Sequence, residues 1–225
     1  MAKLRPVDGC FALIGDMVAS RELEPTQRAD TQERFTAFVD GLNRRYKAGL
    51  LAGFIITTGD EFQGLIDDPA VLPDVIWDAD TGFHDRVLRL GVGHGRLDTA
   101  VGEYAINVDG PALHRARDAI NLAAKDGDLG GVFRGFGSDF DMLLNGLARM
   151  LWFHRSQRTE QQMRVMGMLR RGMAQVEIAE ELGLTRQAIS DHVRAAGWTA
   201  YQEGEKAFRA ALELFAALAA EEPAK

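Results

Sequence analysis

Along this chain strand-like apolar runs alternate with helical stripes over the first two thirds, and helical intervals alone fill the last third. Residues 10–15 (CFALIG) form a short apolar run closed by a Gly-Asp turn, which predicts a buried strand. Pro25 suits the first turn of a helix. Phe35, Phe38, Val39, Leu42 and Tyr46 then recur as a helical stripe, ended by the glycines at 49 and 53. The β-branched run 53–58 and the run 61–66 flank Gly59-Asp60 and predict a hairpin. A helix is expected over 69–79, strands over 86–93 and 96–101, and a helix from Gly110-Pro111 to about Lys125. A short strand and loop follow at 130–137, then a helix N-capped by Ser138 and running to about His154. Strands linked by helices and hairpins predict an α+β fold, a ferredoxin-like mixed sheet covered by helices. An all-α domain follows it.

The all-α part has its own logic. Residues 160–172 carry Met163, Met166 and Leu169 on one face. Gln175 to Leu182 is a second helix, Gly183-Leu184 a turn, and Thr185 the N-cap of a third helix, Arg186 to Ala196, closed by Gly197. Ala179 is small enough for the third helix to cross closely over the second, and Ile178, Leu182, Leu184, Ile189 and Val193 are the expected core. This is the layout of a helix-turn-helix, whose third helix enters the DNA major groove. Its outward side chains are Arg186, Gln187, Ser190 and Arg194; arginine pairs with guanine and glutamine with adenine through two hydrogen bonds each. Arg170, Arg171 and Arg164 are candidates for phosphate contacts. A three-helix docking module has the same pattern and stands as the alternative. After Trp198, residues 200–218 place Tyr201, Phe208 and Phe215 seven apart, with Gly204, Ala211 and Leu218 between them. Such a seam either pairs two copies into a homodimer or packs on its own domain.

Charge sharpens the division. The net charge is −7 over 225 residues. Residues 1–148 hold 15 Lys/Arg against 23 Asp/Glu, and residues 149–225 hold 11 against 10. Broad electrostatic attraction to phosphate is thus disfavoured in the first part. With the single cysteine Cys10 the chain forms no internal disulfide. The first residues lack a signal-peptide pattern and no apolar run is long enough to span a bilayer, so a cytoplasmic protein without a membrane partner is expected.

Two acidic turns are candidates for chemistry. Asp16 follows the first strand and Asp60 sits at the hairpin tip. Adjacent strand ends can bring two such carboxylates together to hold Mg²⁺ or Mn²⁺, which would bind a nucleotide triphosphate. Simple turn chemistry explains Asp beside Gly equally well. The five histidines lack metal-ligand spacing, and His94 between two glycines reads as a tight turn.

The segments 12–21 (ALIGDMVASR), 57–63 (TTGDEFQ), 88–95 (LRLGVGHG) and 109–118 (DGPALHRARD) resemble, in order and spacing, four motifs of the class III nucleotidyl cyclases. With the C-terminal helices added, the chain resembles the SatD family over nearly its whole length. The resemblance implies a cyclase-like fold, Asp16 and Asp60 as metal ligands, and Ser20, Arg21, Asn107, His114 and Arg117 around a nucleotide. It also shows departures. Ile56 replaces the base-reading lysine, His114 the transition-state asparagine and Asp118 the transition-state arginine, with Arg117 one residue away. One residue on a helix turns a side chain by about 100°.

The expected organisation is a cyclase-like domain over 1–137, a connecting helix over 138–158, a helix-turn-helix over 159–198 and a C-terminal helix over 199–220. The expected function is a regulator of transcription that binds double-stranded DNA and whose first domain binds a nucleotide or dimerises. The alternative is an active, metal-dependent nucleotidyl cyclase.

Overall fold

A computed structural model describes residues 9–20, 24–83 and 87–221. Five strands form one mixed sheet: β1 (Cys10–Met17), β2 (Leu50–Thr58), β3 (Glu61–Ile66), β4 (Leu88–Gly95) and β5 (Val132–Arg134). Their spatial order is β2-β3-β1-β4-β5. The first four pair antiparallel, and β5 lies parallel to β4. Helices α1 (Pro25–Tyr46), α2 (Leu72–Gly82) and α3 (Pro111–Asp126) connect the strands. The β-α-β-β-α-β run with this strand order is the split βαβ arrangement. Then come α4 (Ser138–Ser156), α5 (Glu160–Arg170), α6 (Gln175–Leu182), α7 (Arg186–Ala195) and α8 (Trp198–Glu221).

The chain divides into two compact units, one made of the residues up to Arg149 together with those from Phe208 on, the other of Met150–Ala207. The divisions fall inside α4 and inside α8.

In the first unit the pleat of β1 sends successive side chains to opposite faces. Cys10, Ala12 and Ile14 join Leu65, Ala112, Ala116 and Ile120 in one buried cluster under α3. On the other face Phe62 meets Phe35 of α1 and Phe54, with ring centroids 5.8 and 5.7 Å apart. The α3 face is crowded down to backbone contact. A Cβ on Gly91 would stand 2.5 Å from Ala116 O, and one on Gly93 2.2 Å from Ala112 O. Glycine in the strand and alanine on the helix are what let α3 lie this close.

The predicted stripe of α1 holds, with Phe35, Val39 and Leu42 buried. The expected strand over 96–101 does not form. β1 and β5 occupy both edges of β4, so a hairpin return beside it has nowhere to pair. The chain instead loops across to the free edge of β2, where Gly53 N–H donates to Glu103 O at 2.8 Å. His94 is not in a turn. It lies inside β4 with its ring 4.7 Å from Phe215 and 5.0 Å from Phe11, and burial lowers its pKa. Ser138 is the first residue of α4, not its cap.

The seam of α8 is used within the chain. Phe208 packs on Phe133, and Phe215 on Phe136 and Phe140. Arg209 pairs with Asp74 of α2 at 2.7 Å. Leu218 is exposed.

In the second unit, Val165, Met168, Ile178, Ala179 and Ile189 form the core, with Leu169, Leu182 and Val193 against it. Leu184, expected there, is 37% exposed because it lies in the α6–α7 turn. Gly183 takes a left-handed conformation, φ 63°, which costs glycine nothing. Thr159 and Gln162 cap α5 reciprocally, and Thr185 Oγ1 accepts from Ala188 N–H at 3.1 Å to start α7.

Candidate functional site

The last residues of β1 and the first of β3 bring the acidic positions to one end of the sheet. Met17 N–H donates to Asp60 O at 2.9 Å. Yet the residue directly opposite Asp16 on β3 is Glu61, and the one opposite it on β4 is Arg89. Residues opposite one another share a face of a sheet, so Glu61, Asp16 and Arg89 form a row across three strands. Arg89 Nε donates to Asp16 Oδ1 at 3.0 Å. Arg117, on α3, grips both oxygens of Glu61, with Nη2 2.7 Å from Oε1. Thr57 Oγ1 donates to Glu61 Oε1 at 2.8 Å.

Asp60 has different company. It lines a cleft of about 220 Å³ with Met17 and Ser20, opposite Arg28, Thr31 and Gln32 of α1. Met17 follows Asp16 on an alternating strand, so the cleft lies on the face that Asp16 turns away from. Ser20 Oγ donates to Asp60 Oδ2, and Thr58 Oγ1 to Oδ1 at 3.3 Å. The two carboxylates expected to share a metal are therefore neighbours along the chain ends but serve opposite sides of the sheet.

The protonation of the row follows its charges. Burial raises the Asp16 carboxyl above the ordinary range, Arg89 opposes that, and nearby Glu61 and Asp60 add to it. The hydrogen bonds from Arg117 hold the Glu61 carboxyl below its ordinary value, against burial.

The residues fit a divalent cation poorly. Such ions want several oxygen ligands with lone pairs to spare, six for Mg²⁺. Here the carboxylates already accept from guanidinium and hydroxyl groups. Among the described residues no three His, Cys, Asp or Glu side chains are grouped to hold a metal.

Of the nucleotide candidates among the described residues only Ser20 lines the cleft. Arg21 lies outside the described residues. Arg117 is committed to Glu61, while His114 Nε2 sits 2.7 Å from Asp109 Oδ1 in an exposed pair. Asn107 is exposed in a left-handed backbone conformation, φ 55°.

Sequence reasoning missed Glu61 and Arg89. The signal was there. Asp16 is the one charged residue of β1 and Arg89 the one Lys or Arg of β4, and opposite charges inside apolar strands need each other.

On α7, Arg186, Gln187 and Arg194 are exposed and Ser190 is half-buried. Asp191 lies among them, accepting from Gln187 Nε2 at 3.2 Å and Arg194 Nη2 at 2.9 Å. Arg164 and Arg171 are exposed as a phosphate contact requires. Arg170 is not. Its guanidinium makes paired hydrogen bonds with Glu205 of α8, with side chains only 14% and 11% exposed. A carboxylate in the core recruits the nearest cation, because a buried charge without a counter-charge is costly. No helix among the described residues is long and apolar enough to cross a membrane.

Comparison with known proteins adds the following. Similar solved structures include the monomeric guanylyl cyclase domain of the RhoGC fusion protein from the aquatic fungus Blastocladiella emersonii. It is 16% identical with TM-score 0.39, over 52% of this chain and 77% of that one. The guanylate cyclase domain of RhGC from Catenaria anguillulae, in complex with GTP, is 16% identical with TM-score 0.39, over 52% and 74%. A bacterial light-regulated adenylyl cyclase is 15% identical with TM-score 0.41, over 57% and 76%. No curated protein matches the sequence. The profile of the SatD family matches residues 10–212, from the first residue of β1 into α8, and the chain belongs to the SatD family.

Proposed function

We propose that the protein binds double-stranded DNA through α7 and acts as a regulator of transcription, with the first unit as its accessory domain. The observation that supports this most is the α6–α7 turn. A left-handed Gly183, the N-cap Thr185 and the buried pair Ala179 and Ile189 hold α7 against α5 and α6. That leaves the polar face of Arg186, Gln187, Ser190 and Arg194 directed away from the small core, the arrangement by which a recognition helix reads base edges. Asp191 serves as a tether on this face, fixing the side chains of Gln187 and Arg194 before any base is met.

The test is selection of bound fragments from sheared DNA of the source organism at physiological salt, followed by titration of the selected site. Enrichment of a defined sequence is expected. The R186A/Q187A double variant should lose roughly 1–3 kcal/mol for each base contact removed, about thirtyfold or more in affinity for the two together. Unchanged affinity of that variant for the selected site would refute α7 as the reading element. Weak binding that vanishes with salt and selects nothing would refute sequence-specific regulation.

A further inference from the structure

We infer that the acidic end of the sheet is a closed ion-pair array in which the guanidinium groups of Arg89 and Arg117 stand in for divalent cations, so that the chain takes up no Mg²⁺ or Mn²⁺ there. The inference does not depend on DNA binding.

The argument starts from the register. Glu61 and Asp16 face each other across β3 and β1. Two carboxylates so placed repel each other, and like charges directly opposite destabilise a sheet. Besides protonation of one carboxyl, there are two ways to relieve this. A metal ion between them is one. A cation on each outer flank is the other, and the chain supplies both flanks. Arg89 stands opposite Asp16 on β4, and Arg117 reaches Glu61 from α3.

Most of the oxygens are already engaged as well. Of the six carboxylate oxygens of Asp16, Asp60 and Glu61, five accept hydrogen bonds from side chains of the chain itself: one on Asp16, both on Glu61 and both on Asp60. A cation would have to displace guanidinium groups that donate in a forked geometry, and arginine does not lose its proton to make room. The pleat separates the donors further, since Asp60 lines the α1-side cleft and Asp16 faces α3.

The experiment is a Mn²⁺ titration of the full chain, following the free-ion signal by electron paramagnetic resonance and the melting temperature in parallel. The array predicts no saturable loss of free Mn²⁺ and no rise in melting temperature at millimolar metal. Saturable binding by the unaltered protein that is lost in D16N would overturn the inference. The positive arm uses R89M and R117M, each checked for folding by circular dichroism. With one guanidinium gone, the vacated carboxylate should gain Mn²⁺ affinity, seen as saturable loss of free Mn²⁺ where the parent shows none. A folded R89M and a folded R117M that both bind no Mn²⁺ would show that the guanidinium groups are not what holds the place of the ion, and would overturn it equally. Because the titration of the unaltered chain needs no variant, the inference stays exposed to refutation even where a substitution prevents folding.

Discussion

Opposite carboxylates at the end of a sheet make the residue scale unusually sensitive to pH. Glu61 is held below its ordinary value of 4.5 by Arg117. Its contribution to stability is therefore complete above that value and is lost as pH falls through the lowered one. Asp16 works in the other direction. Its value is raised above 3.8, chiefly by burial, so its contribution is complete below 3.8 and is lost as pH rises through the raised value. Replacing Arg117 by alanine should cost about 1 kcal/mol at pH 7, since the pair is two-pronged but Arg117 is partly exposed. Urea unfolding at pH 7 and at pH 3 measures it, and the loss should shrink at the lower pH. A loss of equal size at both would mean that Arg117 acts through packing alone. At this scale the sequence singled out Asp16 but set it in a turn after the first strand; the structure sets it inside β1, with partners the sequence did not show. Partnership depends on strand register, and the register that sets Asp16 beside Arg89, 73 residues later in the chain, comes from the pairing of β1 with β4. Arg170 teaches the same lesson, because its counter-charge Glu205 is 35 residues away on another helix.

Elements divide into those whose pattern is local and those whose pattern is not. Periodicity and caps located α6 to the residue, because an eight-residue amphipathic segment ending in Gly183 carries its own start and stop. The run 96–101 alternated like a strand and failed, since a strand also needs a free neighbour and β4 had none left. The glycines of β4 gave no hint of their use in isolation. They are explained only by the alanines of α3, which press against the strand backbone. Gly91→Ala and Gly93→Ala should each destabilise by about 3 kcal/mol, the upper part of the range for overpacking, because the obstructing atoms are backbone and cannot step aside. Gly146 offers the opposite case. It is exposed in the middle of α4, and a Cβ there meets nothing within 4 Å. Gly146→Ala should stabilise by about 1 kcal/mol, the difference in helix propensity. Denaturant midpoints of the three variants test the contrast, which collapses if all three move the same way.

At the scale of the whole molecule the chain forms two compact units. Its first unit is discontinuous in sequence, made of residues up to Arg149 and again from Phe208. The returning part is needed by its own unit, for Phe208 covers Phe133, Phe215 closes over Phe136 and His94, and Arg209 ties α8 to α2. A chain truncated after Ala207 should thus expose these aromatic rings, bind a hydrophobic dye and lose cooperative unfolding, whereas one ending at Glu221 should keep it. Retained cooperative melting in the shorter chain would show that the first 149 residues suffice. Synthesis on the ribosome gives this discontinuity a temporal meaning. Domains ordinarily fold as they emerge, at roughly 5–20 residues per second. Here the sheet is complete by Arg134, but the part of α8 that closes its aromatic side follows the inserted unit in the chain, so the nascent first unit must wait several seconds, half covered, while the inserted unit is translated ahead of it.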